Sequence, residues 1–92
     1  VLKEQGGVYA VKDAASIEVK AVYSAECWTE AYTDGNEAFV GLMSNGKSIN
    51  WSADKELVIK LGNVRAAKII CNGLEIPYEP DENGVVVRTF KR

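Results

Sequence analysis

Cys27-Trp28-Thr29-Glu30-Ala31-Tyr32-Thr33-Asp34-Gly35-Asn36-Glu37-Ala38-Phe39-Val40-Gly41-Leu42-Met43, continued by Ser44-Asn45-Gly46-Lys47-Ser48-Ile49-Asn50-Trp51-Ser52-Ala53, holds two Asx-Gly dipeptides between alternating apolar and polar residues. Such dipeptides suit tight β-hairpin turns, whose central residues need positive φ. Pairing outward from Asp34-Gly35 sets Thr29 opposite Val40, Ala31 opposite Ala38 and Cys27 opposite Leu42. Pairing outward from Asn45-Gly46 sets Leu42 opposite Ile49, Val40 opposite Trp51 and Ala38 opposite Ala53. The registers agree on one apolar face, which predicts a β-meander from Cys27 to Ala53 with that face buried.

The pattern extends to both sides. Ile17, Val19, Ala21 and Tyr23 alternate with Glu18, Lys20 and Val22 in a half-buried strand. Leu57, Ile59 and Leu61 form another, closed by Gly62-Asn63, and Ala67, Ile69 and Cys71 run into a third turn at Asn72-Gly73, after which Leu74 and Ile76 continue the face. Pro77 and Pro80 cannot donate ladder hydrogen bonds, so Tyr78 to Asn83 reads as a loop before a last strand, Val85 to Phe90. No window of useful length has helical apolar spacing; the nearest, Val64 to Ile70, is short. Residues 1–16 read as a lead-in or linker, with Val8 to Val11 as a candidate weak strand, and residues 17–92 as a single β-sandwich domain. The fold class is all-β, an antiparallel β-sandwich of about seven to eight strands built from tight hairpins, because two sheet faces must cover each other to make a core. The predicted inward set is Cys27, Ala31, Val40, Leu42, Ile49, Trp51, Leu57, Ile59, Leu61, Ile69, Cys71, Leu74, Ile76, Val85 and Val87.

Composition narrows the function classes. A chain of 92 residues can bury somewhat over 60% of its unfolded surface, enough to fold without disulfides or metals. The formal charge of −2, with signs interleaved, gives no basic patch for nucleic acid. There is no histidine, so a zinc site would have to be built largely from carboxylates, and no metal site or cofactor is expected. Ser16, Ser24, Ser44, Ser48 and Ser52 lack a nucleophile-elbow setting, and no lysine stands in a Ser-Lys or Schiff-base arrangement. Acid pairs such as Asp81 with Glu82 or Glu26 with Glu30 fit a loop and a solvent-facing strand better than glycan chemistry. The glycine dipeptides do not open helices, so they make no phosphate loop. An enzyme is not expected. The longest apolar stretch is a few residues, giving neither signal peptide nor spanning helix within the chain.

Cys27 and Cys71 both alternate inward and read as buried free thiols, with one disulfide as the alternative. Asn50-Trp51-Ser52 matches a glycosylation acceptor but falls inside a strand. Trp51 belongs to the core face. Trp28 lies on the opposite one, set across from Gly41, with Phe39 opposite Glu30 and Tyr32 opposite Glu37. The face also carries Met43, Ser48, Asn50 and Ser52. Two readings of Trp28, Tyr32 and Phe39 stand: they cover a strand glycine beneath the N-terminal segment, or they form an exposed platform for a sugar ring or a partner protein.

The run Ser24-Ala25-Glu26-Cys27-Trp28-Thr29-Glu30-Ala31, followed by Asp34-Gly35, Phe39-Val40-Gly41-Leu42, Leu61-Gly62-Asn63 and Cys71-Asn72-Gly73, resembles the C-terminal extracytoplasmic domain of RodZ-type bacterial cell-shape proteins over about Ile17 to Phe90. The resemblance implies a noncatalytic β-domain on the extracytoplasmic face of the cytoplasmic membrane. It would belong to a single-pass membrane protein that couples an actin-like inner filament to cell-wall elongation outside. The helix-turn-helix domain, transmembrane helix and linker that precede this domain in such proteins lie outside the chain, so membrane attachment would come only through them. Implied partners are membrane proteins of cell-wall synthesis, with peptidoglycan as the alternative ligand through a glycan-binding module. The cysteine matching Cys27 has no constant partner in this pattern, which favours free thiols. Thr29 and Ala31 stand where larger aliphatics are expected, implying a thinner core, while Cys71 occupies a position that the pattern does not fix and leaves a disulfide open. The family brings no ligand-binding residues.

Overall fold

A computed structural model describes residues 2–92 as a two-sheet β-sandwich, the architecture anticipated from the hairpin signals. Its strands are β1 (Leu2–Lys3), β2 (Val8–Ala10), β3 (Ile17–Tyr23), β4 (Cys27–Thr33), β5 (Asn36–Met43), β6 (Ser48–Ala53), β7 (Glu56–Leu61), β8 (Ala67–Cys71), β9 (Leu74–Ile76) and β10 (Val86–Lys91). One sheet has the order β1-β2-β10-β7-β4-β5 and the other β6-β3-β8-β9. All pairings are antiparallel except β2 with β10, where Val8 to Ala10 lies beside Thr89 to Lys91. Tyr9 is buried there and its ring stacks on that of Phe90, centroids 5.3 Å apart. The Val64 to Ala66 segment, the closest to a helical pattern, is a single 3-10 turn.

Two of the three Asx-Gly turns close hairpins. Asp34 and Gly35 (φ 50° and 83°) join β4 to β5, and Asn72 and Gly73 (φ 49° and 82°) join β8 to β9. Asn45-Gly46 does something else. Only Gly46 has positive φ there, the pattern of a turn whose twist splays its flanking strands instead of pairing them. The turn leaves one sheet for the other: the Tyr23 carbonyl accepts from Gly46 N–H, and Tyr23 N–H donates to Lys47 O, both at 2.9 Å. β6 consequently pairs with β3, with Trp51 opposite Val19 and Ala53 opposite Ile17. The meander predicted through Ala53 is corrected to one hairpin followed by a sheet change.

A second correction lies within the β4–β5 hairpin. Tyr32 opposes Glu37 as expected, but a β-bulge follows, and Ala31 opposes Phe39 where Ala38 was expected. One extra residue reverses every subsequent side chain on β5. Phe39 and Met43 pack against the core, while Val40 and Leu42 face solvent. Gly41 opposes Thr29, beneath the Phe39 ring, and Trp28 opposes Leu42. On β10 the predicted parity is also inverted, since Val85 and Val87 are exposed while Arg88 and Phe90 are buried. Leu74, expected inside, is exposed at the sheet edge.

The rest of the predicted core is in place. Cys27, Ala31, Trp51, Leu57, Ile59, Leu61, Ile69, Cys71 and Ile76 are buried, with Ile49 half-buried against them. Phe39 and Trp51 meet across the sandwich with ring centroids 6.3 Å apart. Thr29 is fully buried and its hydroxyl is satisfied 2.8 Å from that of Tyr23 on the facing sheet, so a polar side chain is accommodated where an aliphatic was expected. Both cysteines are free and buried.

Candidate functional site

Trp28, Glu30 and Tyr32 alternate along β4 and share its outward face, as the period of two requires. Trp28 is 45% exposed and Trp51 only 7%, so the opposite placement of the two tryptophans holds despite the bulge. Neither depends on the bulge: Trp28 lies on β4, and Trp51 lies on β6, which pairs with β3 and not with β5. Trp28 Nε1–H donates to Glu30 Oε2 and the Tyr32 hydroxyl to Glu30 Oε1, each at 2.9 Å. These two bonds, Trp28's first, hold the Glu30 carboxyl below its usual range, helped by Lys60 opposite on β7. The same bond to Glu30 raises the Tyr32 hydroxyl. Glu30 therefore stays ionised and fixes both rings.

The sheet sets these residues in rows. Val40, Glu30, Lys60 and Val87 form one row across β5, β4, β7 and β10, and Glu37, Tyr32, Val58 and Thr89 form the next. On the other side of the first row, Leu42 opposes Trp28, and the registers carry this line on to Gly62 and Val85. Gly62 N–H donates to Trp28 O at 2.7 Å, and a Cβ on Gly62 would stand 3.1 Å from that of Trp28. A bare backbone beside an exposed indole, with Leu42 and Val85 at 58% and 62% exposure on either side, makes a shallow apolar strip.

Phe39 is not part of it. The bulge turns its ring inward onto Trp51, so the structure brings together Trp28 and Tyr32 but separates them from the third aromatic. Met43 also faces the core, and Ser48, Asn50 and Ser52 lie on β6 in the other sheet. Leu42, Val40, Val85 and Val87, all assigned inward from sequence, are exposed on this face instead. For β10 the signal was present: Phe90 shares parity with Val86 and Arg88, and Arg88 is admissible inside because Glu82 meets it at 2.5 Å.

Elsewhere, a cleft of about 460 Å³ is lined by Tyr23, Arg65, Lys68, Ile76, Pro77 and Tyr78. Its arginine is already engaged. Arg65 lies 4.7 Å over the Tyr78 ring and donates to Pro80 O and Glu82 O at 2.8 and 3.1 Å, pinning the proline-rich loop. Among the described residues no group of three or more His, Cys, Asp or Glu is placed to hold a metal ion, and no helix is long and apolar enough to cross a membrane.

Residues 18–90 match the family model of the RodZ C-terminal domain, nearly the span over which the sequence resemblance was drawn. No curated protein and no solved structure matches the chain.

Proposed function

The chain belongs to the RodZ C-terminal domain family, and on that premise we propose that it is a noncatalytic interaction domain held outside the cytoplasmic membrane, where its outer sheet face contacts membrane proteins of the cell-wall elongation machinery. The family makes it a domain of a cell-shape protein. The observation that carries the finer reading is the apolar strip of Leu42, Trp28, Gly62 and Val85. A partly exposed tryptophan held rigid by Glu30 and flanked by aliphatics suits the centre of a protein contact, where aromatic anchors carry much of the binding energy. Preorganisation by the Glu30 bonds lowers the ordering cost on association.

Glycan binding is the second reading, favoured by the exposed indole, which could stack on a sugar ring. It is the second reading because each Glu30 oxygen already accepts one hydrogen bond, from Trp28 or from Tyr32, which leaves fewer acceptor sites for sugar hydroxyls. Titration of the labelled domain with soluble peptidoglycan fragments separates the readings. Protein contact predicts unchanged amide signals around Trp28, together with recovery of cell-wall synthesis proteins after crosslinking in cells and loss of that recovery in Trp28→Ala. Saturable shifts abolished by the same substitution would establish the glycan reading instead.

A further inference from the structure

β5 ends the six-stranded sheet, so one side of its backbone has no strand beside it. Which groups face outward follows from its neighbour. The Trp28 carbonyl points to β7, where it accepts from Gly62 N–H. Backbone groups alternate along a strand, so those of Cys27, Thr29 and Ala31 point to β5 and meet Met43, Gly41 and Phe39. The N–H and C=O of Val40 and Leu42 are left pointing away from the sheet, and their side chains are exposed as well.

Natural sheets close such edges with lysine, proline or very short strands. β9 has three residues, carries Glu75 and runs into Pro77, and β1 has two residues including Lys3. The remaining edge strand, β6, turns Trp51 and Ala53 inward and shows Ser52 and Asn50 to solvent. Phe39 to Met43 has no such device. The bulge and Glu37 bound this segment at one end only.

The segment is also its own complement, and we infer that the β5 edge pairs antiparallel with the β5 edge of a second copy of this chain, about a two-fold axis at Gly41. Side chains must stay on their own faces, which restricts pairing to residues of equal parity. The outward groups must also meet each other. Placing Val40 opposite the second copy's Leu42 satisfies both conditions twice and makes about four interchain hydrogen bonds, the maximum for two free residues per edge. Gly41 then meets Gly41 at the closest approach with no side chain between. Phe39 faces Met43 on the inner side, two aliphatics face each other on the outer side, and no charge opposes a like charge. A shift by two residues in either direction breaks one of the hydrogen-bonded pairs or runs it into the bulge.

An edge of five residues buries less than a standard interface of about 1,600 Å², so the expected association is weak. Sedimentation equilibrium from about 20 µM to about 2 mM tests this, a range that covers weak association. The average mass should rise from the 10.0 kDa of the monomer towards twice that value, with concentration-dependent amide shifts confined to Phe39 to Met43. In mixed-label samples, Val40 should show contacts to Leu42 of the other copy. Leu42→Pro deletes an N–H that β4 does not use, and Val40→Lys puts a charge on the edge. Both should stay monomeric, and the lysine variant, at an exposed position, tests the edge even if the proline variant fails to fold. A wild-type chain monomeric at the highest concentration, or association that survives Val40→Lys, would overturn the inference. Trp28→Ala leaves the edge intact, so loss of an outer-face partner and loss of self-association are separately readable.

Discussion

The carboxylate of Asp34 accepts a 2.7 Å hydrogen bond from the backbone N–H of Lys55, and also takes those of Asp54 and Glu56 at 2.8 and 3.0 Å. The tip of the β4–β5 hairpin thereby holds the turn that returns the chain from β6 in one sheet to β7 in the other. One residue closes a hairpin through its positive φ and ties the two sheets together through its side chain.

These three bonds, that of Asp54 first, hold the Asp34 carboxyl below its usual range. A carboxyl lowered on folding stabilises the fold above its unfolded value of about 4, and the contribution is lost as pH falls through the lower folded value. Asp34→Asn keeps the turn conformation but sets an amide against three donors. It should lower the melting temperature at pH 7 and flatten the pH dependence of stability below about pH 4. An unchanged acid-unfolding profile would refute this role for Asp34.

The bulge predicts an inverted mutational pattern on β5. Phe39→Ala should cost about 2 kcal/mol, less than a fully buried phenylalanine because the ring is half-buried, whereas Val40→Ala should cost under about 0.5 kcal/mol. Urea denaturation of both variants checks this, and equal costs would contradict the assigned faces.

Arg88 is buried and donates to Glu82, whose own side chain is mostly shielded. Removing one member leaves the other uncompensated, so Arg88→Ala should destabilise by about 2 kcal/mol, below the range for wholly buried pairs. The Arg88 bond also lowers the Glu82 carboxyl. The pair's contribution should therefore be full at neutral pH and fall away under acid as Glu82 protonates through its lowered folded value. Chemical denaturation of wild type and Arg88→Ala at pH 7 and pH 3 measures both effects, with the gap narrowing at the lower pH.

Cys71 lies inside the sandwich, where burial pushes its thiol up to about 11. At pH 8 roughly one thiol in a thousand would be ionised even with full access. Alkylation without reductant should label neither cysteine in the native protein and both after unfolding, as intact mass reports. Failure to label the unfolded chain would mean a disulfide.

Sequence alternation by itself determined the all-β class, most of the buried set and the opposite placement of Trp28 and Trp51. Each follows from a period-two pattern next to a turn residue with strong conformational demands. The Asn45-Gly46 dipeptide has the same letters as a hairpin turn, but whether Asn45 adopts positive φ depends on what receives the next strand, and here the open side of β3 receives β6. The bulge at Ala38 leaves no mark on an alternating pattern, since Phe39-Val40-Gly41-Leu42 offers an apolar residue to either face. Tertiary contact decided between them: a ring on Phe39 fills the space over Gly41 against Trp51, and a valine would not. The same choice sent Val40 and Leu42 outward, which left an apolar β5 edge and added Leu42 to the Trp28 strip, because one inserted residue reverses all that follows on β5.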